Sequence, residues 1–169
     1  MSDNAIADAF LDYSSSRLLA LQKVIGACCD KLSDEQMLHR EGDFDNSVAN
    51  LLLHLAGNMR QWVMHGIAEH PDVRTRDAEF SLTPDETPAE ARRIFDTTIV
   101  EAAEILAAVD PARLLEVIDP QPNGTWRNPT ILQAIYKVVG HVDHHAGQII
   151  TATKRLTASD LNLSMPRAR

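Results

Sequence analysis

Apolar residues recur at helical spacing through four long stretches of this chain, each bounded by residues that start or stop helices. In the first, from about Asn4 to Leu32, the pattern is carried by Ala5, Ala9, Leu11, Leu18, Leu19, Leu21, Val24 and Ile25. Ser33-Asp34 ends or interrupts it, and His39 to Asp45, polar and containing Gly42, reads as a connection. Asn46 or Ser47 can cap a second helix that runs to about Ala68. His70 to Pro84 is then a long loop, and long loops in compact domains often carry function. Thr87-Pro88-Ala89-Glu90 joins a capping-box pair to a proline at the first helical position. That third helix continues through Ile94, Ile99, Ile105 and Leu106 to Pro111. Asn123-Gly124 is a turn signal, so a small β-hairpin is read between Leu114 and Trp126. Asn128-Pro129-Thr130 starts the last helix, which reaches about Leu156. The expectation is an all-α four-helix bundle with one long crossover loop. It forms a single domain over residues 1–169, with a core at about 4–157 and a C-terminal tail at 158–169 that wraps or frays.

Composition narrows the function classes. Only 5% of residues are aromatic, which favours helix over sheet. With 24 acidic against 16 basic residues the net charge is -8, and such a chain is repelled by nucleic-acid phosphates, so nucleic acid is not an expected partner. No apolar run approaches the roughly 20 residues needed to span a bilayer. Met1-Ser-Asp-Asn-Ala lacks the basic start of a signal peptide. Cys28 and Cys29 are adjacent, so they point in different directions on a helix and read as a small buried pair in a reducing compartment. The expected location is the cytoplasm.

The histidines carry the chemistry. His141 and His145 stand four apart inside the apolar run from Tyr136 to Ile150, which places both imidazoles on one helical face, one turn apart. Such a pair can close on one metal ion at roughly 2.0–2.1 Å per nitrogen. His144 competes for the role, but its direction differs from that of His145 by about 100°. We therefore read His145 as the ligand and His144 as its neighbour, beside the site or toward solvent. His54, flanked by Leu51, Leu52, Leu53 and Leu55, is the third candidate ligand. Asn58 and Trp62 continue its face and could line the same pocket. His65 lies too far along the axis to share the ion, and His39 and His70 fall in connections. Gly57, Gly140 and Gly147 sit near these histidines, although a helix-interior glycine costs about 1 kcal/mol relative to alanine. They allow close helix approach or leave room for a ligand. No general base is assigned, since Asp143 falls on roughly the opposite helical face and acids such as Glu79 lie on loops.

The strings Leu53-His-Leu-Ala-Gly-Asn-Met-Arg-Gln-Trp62 and His141-Val-Asp-His-His-Ala-Gly-Gln148 resemble the two metal-ligand segments of the DinB/YfiT-like superfamily. The loop Asp72-Val-Arg-Thr-Arg-Asp-Ala-Glu-Phe80 resembles one branch of it, a domain of unknown function. The resemblance implies a four-helix bundle, often a homodimer, with a divalent metal such as zinc or nickel held by His54, His141 and His145. It also implies enzymes that act on a small-molecule substrate. The lead expectation is thiol-dependent transferase chemistry of the mycothiol or bacillithiol kind, with a low-molecular-weight thiol as cofactor. The alternatives are a metal-dependent hydrolase and a non-catalytic, stress-related metal-binding protein. Many members carry arginine after the last histidine, where this chain has Ala146. Arg60, Arg74 and Arg76 are the candidate replacements for binding an anion.

Overall fold

Three of the long helices begin at a hydroxyl that accepts from a backbone N–H left without an intrahelical partner. Ser47 Oγ accepts from Asn50 N at 3.2 Å, Thr87 Oγ1 from Glu90 N at 3.2 Å, and Thr130 Oγ1 from Gln133 N at 3.3 Å. At Ser47 and Thr130 the box closes, because Asn50 Oδ1 and Gln133 Oε1 accept from the cap's own backbone N–H. At Thr87 it does not close: the Glu90 carboxylate is held by Arg93, so this start relies on the hydroxyl and on Pro88. Among Asn46 and Ser47, the cap is Ser47.

The computed structural model describes residues 4–81, 86–121 and 126–163. Its helices are α1 (Ala5–Cys29), α2 (Asp34–Leu38), α3 (Val48–Met59), α4 (Pro88–Ala108) and α5 (Ile131–Thr157). The chain is an all-α bundle in which α1 and α3 each pack against both α4 and α5. Leu18, Ile25, Leu52, Leu55, Phe95, Ile99, Ile131 and Ile135 fill the space between them and are fully buried. No helix among the described residues is long and apolar enough to cross a membrane.

Three local features differ from the sequence reading. The link after α1 holds a one-turn helix, α2, closed by a Ser33–Gln36 capping box, in a stretch too short for periodicity to register. The second helix does not stay α-helical to Ala68: Arg60–His65 widens into a π-helical segment, with Gly66 N donating to Gln61 O and Ala68 N to Val63 O, each at 3.0 Å. The expected hairpin appears as a single antiparallel bridge, Val117 to Thr130, with no strand among the described residues; the Asn123-Gly124 turn lies outside them.

Cys28 and Cys29 are both buried and unpaired, and their partners are core side chains and Thr153. Burial pushes both thiols up, Cys29 to about 12, so neither is ionised near neutral pH. Native protein at pH 8 should therefore react with a thiol reagent such as dithionitrobenzoate only after denaturant is added. Fast labelling of the folded protein would contradict this burial.

Candidate metal centre

The core-facing stripe of α3 delivers His54 to the bundle interior, and the partly exposed edge of α5 delivers His141 and His145 opposite it. One ligand-competent atom from each lies within 4.8 Å of the others. His54 is buried, whereas His141 and His145 are half-buried, so the group is closed on the α3 side and reachable from the other. His54 Nε2 and His141 Nε2 are 2.9 Å apart, and the His141 and His145 rings meet edge-on at 4.4 Å between centroids.

Partners on the far nitrogens decide which lone pairs are free. Ionised Glu79 can only accept, so its 2.9 Å contact with His54 Nδ1 means that Nδ1–H donates. With Nδ1–H turned to Glu79, the nitrogen of His54 that faces the other two histidines is Nε2. His145 Nδ1 donates in the same way to Gln148 Oε1 at 2.6 Å, leaving Nε2 bare. Burial, and after it the neighbouring His145 and His54, depress His141 to about 3. Burial also lowers His145. Neutral imidazoles of this kind are the donor set that zinc-like metals take. The residues fit a metal ion.

Behind His54 lies a network that sequence reasoning missed. Glu79, on the 3-10 turn Arg76–Phe80 of the crossover loop, is buried and accepts from both Arg74 Nε at 2.7 Å and Arg74 Nη2 at 2.8 Å. Burial raises the Glu79 carboxyl, but hydrogen bonds from Arg74 and His54 outweigh it and hold the group below its ordinary value. Asn50 Nδ2 clasps Glu79 O at 2.9 Å, and Arg40 Nη2 reaches Ser81 O at 2.6 Å, so the loop is fastened to the start of α3. Gly57 explains itself here: a Cβ at that position would overlap the Glu79 carboxylate. The glycine admits the loop's acid to the helix, rather than one helix to another. The only sequence signal was an acid in a loop following a glycine one turn after a histidine, and that is too common a pattern to read.

The remaining candidates are placed as follows. Asn58 and Trp62 are buried beyond His54, with Asn58 Oδ1 and Trp62 Nε1 lacking hydrogen-bond partners among the described residues. Trp62 stacks near Trp126, and the Lys137 ammonium lies 4.4 and 4.3 Å from the two ring centroids. His144 is exposed, with its ring 5.2 Å from that of His145. Arg74 is committed to Glu79 and to Gln61 Oε1. Arg76 is exposed over the Phe80 ring, and exposed Arg60 lines a small cavity of about 180 Å³ together with Glu79 and Arg74. Asp143 pairs with Arg17 on the surface, and His65 bonds His70 O, away from the group.

Stability should follow pH with a definite sign. His141 and Glu79 both have folded values below their ordinary 6.5 and 4.5, so each group stabilises the fold above its ordinary value. That contribution is lost as pH falls through the depressed ones. The urea midpoint of metal-free protein should thus drop from pH 7 toward pH 4. A midpoint flat across that range would contradict the assigned environments.

Residues 5–169 match the family described as "Protein of unknown function (DUF1572)". A crystal structure of a conserved protein from Enterococcus faecalis is similar in fold, with a TM-score of 0.57 at 16% identity, covering 94% of this chain and 99% of that one. No curated protein matches the chain.

Proposed function

The chain belongs to the DUF1572 family, whose description names no activity, and we propose that it is a divalent-metal-dependent enzyme with zinc or nickel held by His54, His141 and His145. The observation that carries this reading is the convergence of three imidazoles within 4.8 Å, two of them with Nδ1 engaged elsewhere. A bound ion supplies a Lewis acid that polarises a substrate heteroatom or favours the deprotonated form of a thiol. The group has three members among the described residues and is half-exposed on the α5 side, as suits a site with a position left for substrate. A purely structural metal would favour a fourth protein ligand.

Of the chemistries open to such a site, thiol-dependent transfer to a small-molecule electrophile is favoured over hydrolysis. Water activation is helped by a general base, but both Glu79 oxygens are engaged by Arg74 and His54. Asp143 is engaged with Arg17 at the surface. A thiol has an ordinary pKa of about 8.5 and reaches its reactive form with less help. The thiol would be a low-molecular-weight one of the mycothiol or bacillithiol kind, in line with the DinB/YfiT-like resemblance. The same reading makes the chain one domain and, by that resemblance, a homodimer. It places the protein in the cytoplasm, where free Cys28 and Cys29 stay reduced.

The test is thiol consumption by metal-loaded and metal-stripped protein, with cysteine or bacillithiol as the thiol and monochlorobimane as the electrophile. Faster conjugation with the loaded protein is expected. Equal rates for both would sink the transferase reading, and metal-dependent cleavage of an ester in the same series would move the assignment to hydrolysis.

A further inference from the structure

We propose that Lys137, held between Trp62 and Trp126 one helical turn before His141, is the anion-binding residue of the site, and that it selects a small molecule bearing a carboxylate beside its metal-binding atom. The inference rests on the metal reading above. Sequence reasoning passed Lys137 over and looked to arginines instead. Of those, Arg74 is spent on Glu79, Arg76 lies over Phe80, and Arg60 is exposed.

Lys137 is a half-buried cation without a counter-charge. Its ammonium lies 4.4 Å from the Trp62 ring centroid and 4.3 Å from that of Trp126, and it pairs with no carboxylate among the described residues. Burial alone pushes it below its ordinary value, with no acid acting to raise it. The two ring faces fix the side chain and stabilise its charge, yet they offer no oxygen acceptor to the three N–H donors of an ammonium. Such a cation has given up part of its water before any ligand arrives. An anion therefore meets it already oriented and weakly screened.

The position adjoins the metal group. Lys137, His141 and His145 are spaced by four and share one face of α5. Opposite them, on α3 and its π-helical continuation, His54 Nε2 meets His141 at 2.9 Å and the Trp62 ring meets Lys137. On α5 these two rungs are one turn apart, about 6 Å along the axis. Asn58, four residues after His54 and four before Trp62, falls between them. It is 6% exposed, and neither its Oδ1 nor the buried Nε1 of Trp62 has a hydrogen-bond partner among the described residues. Buried polar atoms are ordinarily paired, so two left open between the histidines and a cation suit a polar ligand group. The Lys137 charge is also among those that depress His141, so the two groups act on each other.

Charge and spacing set the ligand class. One ammonium and one amide match the single charge of a carboxylate, whereas phosphate is ordinarily met by arginine forks, and Arg74 is committed to Glu79 and Gln61. A gap of about 6 Å is bridged by a two-carbon spacer between the metal-binding atom and the carboxylate.

The experiment uses zinc-loaded full-length protein and isothermal titration with 3-mercaptopropionate and its amide, 3-mercaptopropionamide. Both present a sulfur to zinc, and only the first is charged at the other end. The measured quantity is the ratio of the two affinities, compared between proteins so that the differing acidities of the two thiols cancel. Lys137→Met should cut the preference for the acid roughly tenfold, the worth of one charge-assisted hydrogen bond, while keeping zinc content, helicity and affinity for the amide. Lys137→Gln, which leaves a polar group between the rings, should do the same. Arg60→Met and Arg76→Met should retain the wild-type preference. A preference unchanged in both Lys137 variants overturns the assignment and leaves the metal reading standing. An equal loss in Arg60→Met or Arg76→Met does so too, since it would reflect the general field of the surface. If neither thiol binds protein of confirmed zinc content, the open metal position is removed, and this inference with it.

Discussion

His54→Ala should reduce the metal content of protein purified without an affinity tag from about one ion per chain to background, and His145→Ala should do the same. The two variants probe opposite sides of the group, since His54 comes from α3 and His145 from α5. Alanine at position 54 also leaves the Glu79 carboxylate with Arg74 as its remaining partner in the group. At position 145 the side chain is half-exposed, so the fold should tolerate its loss. Elemental analysis alongside circular dichroism separates the outcomes. Helical, metal-free variants beside a metal-containing wild type establish the site. Wild-type protein that is metal-free and takes up no added zinc or nickel would reduce the three histidines to core residues.

The second large effect lies behind the ligands. Arg74→Ala should lower stability by about 3–5 kcal/mol, because it strands the Glu79 carboxylate in the interior. The side chains of the pair are only 4% and 7% exposed, so solvent screening gives little relief. For a chain of this size that is a fall in Tm of roughly 10 °C. Glu79→Gln separates the packing of the loop from its chemistry. Glutamine keeps the shape but not the charge, so His54 Nδ1–H loses its anionic acceptor. Metal affinity should fall roughly 10- to 100-fold, as when carboxylates behind metal-bound histidines are removed. Isothermal titration with zinc reads that change. The double variant Arg74→Met with Glu79→Leu should recover much of the stability lost in Arg74→Ala, since no buried charge remains, but not the metal affinity. Unchanged affinity in Glu79→Gln would show that the loop only packs against His54.

The resemblance between expectation and structure is uneven in an instructive way. Helix starts at Thr87 and Thr130 were readable because a cap hydroxyl accepting from the N–H three residues on is local chemistry, settled within one turn, although the reciprocal acceptor closes the box at Thr130 and not at Thr87. The His141–His145 pair was readable because helical spacing puts i and i+4 on one face wherever the helix goes. His54 could be placed on a buried stripe but not opposite a particular partner, since amphipathicity gives a direction toward the core and no address within it. α2 and the π-helical segment escaped because five or six residues are fewer than a period-based reading can resolve.

Sequence alone determined the all-α class, the main helix boundaries and the pairing of His141 with His145 on one helical face, because propensity, capping and periodicity act over a few residues. The tertiary structure decided that three histidines from two helices converge. It also decided that Glu79, 25 residues on in the crossover loop, reaches back to His54, and that Gly57 leaves room for its carboxylate. Those outcomes depend on contacts between segments distant in the chain. Each is set by the whole packing of the bundle, so no short pattern encodes it.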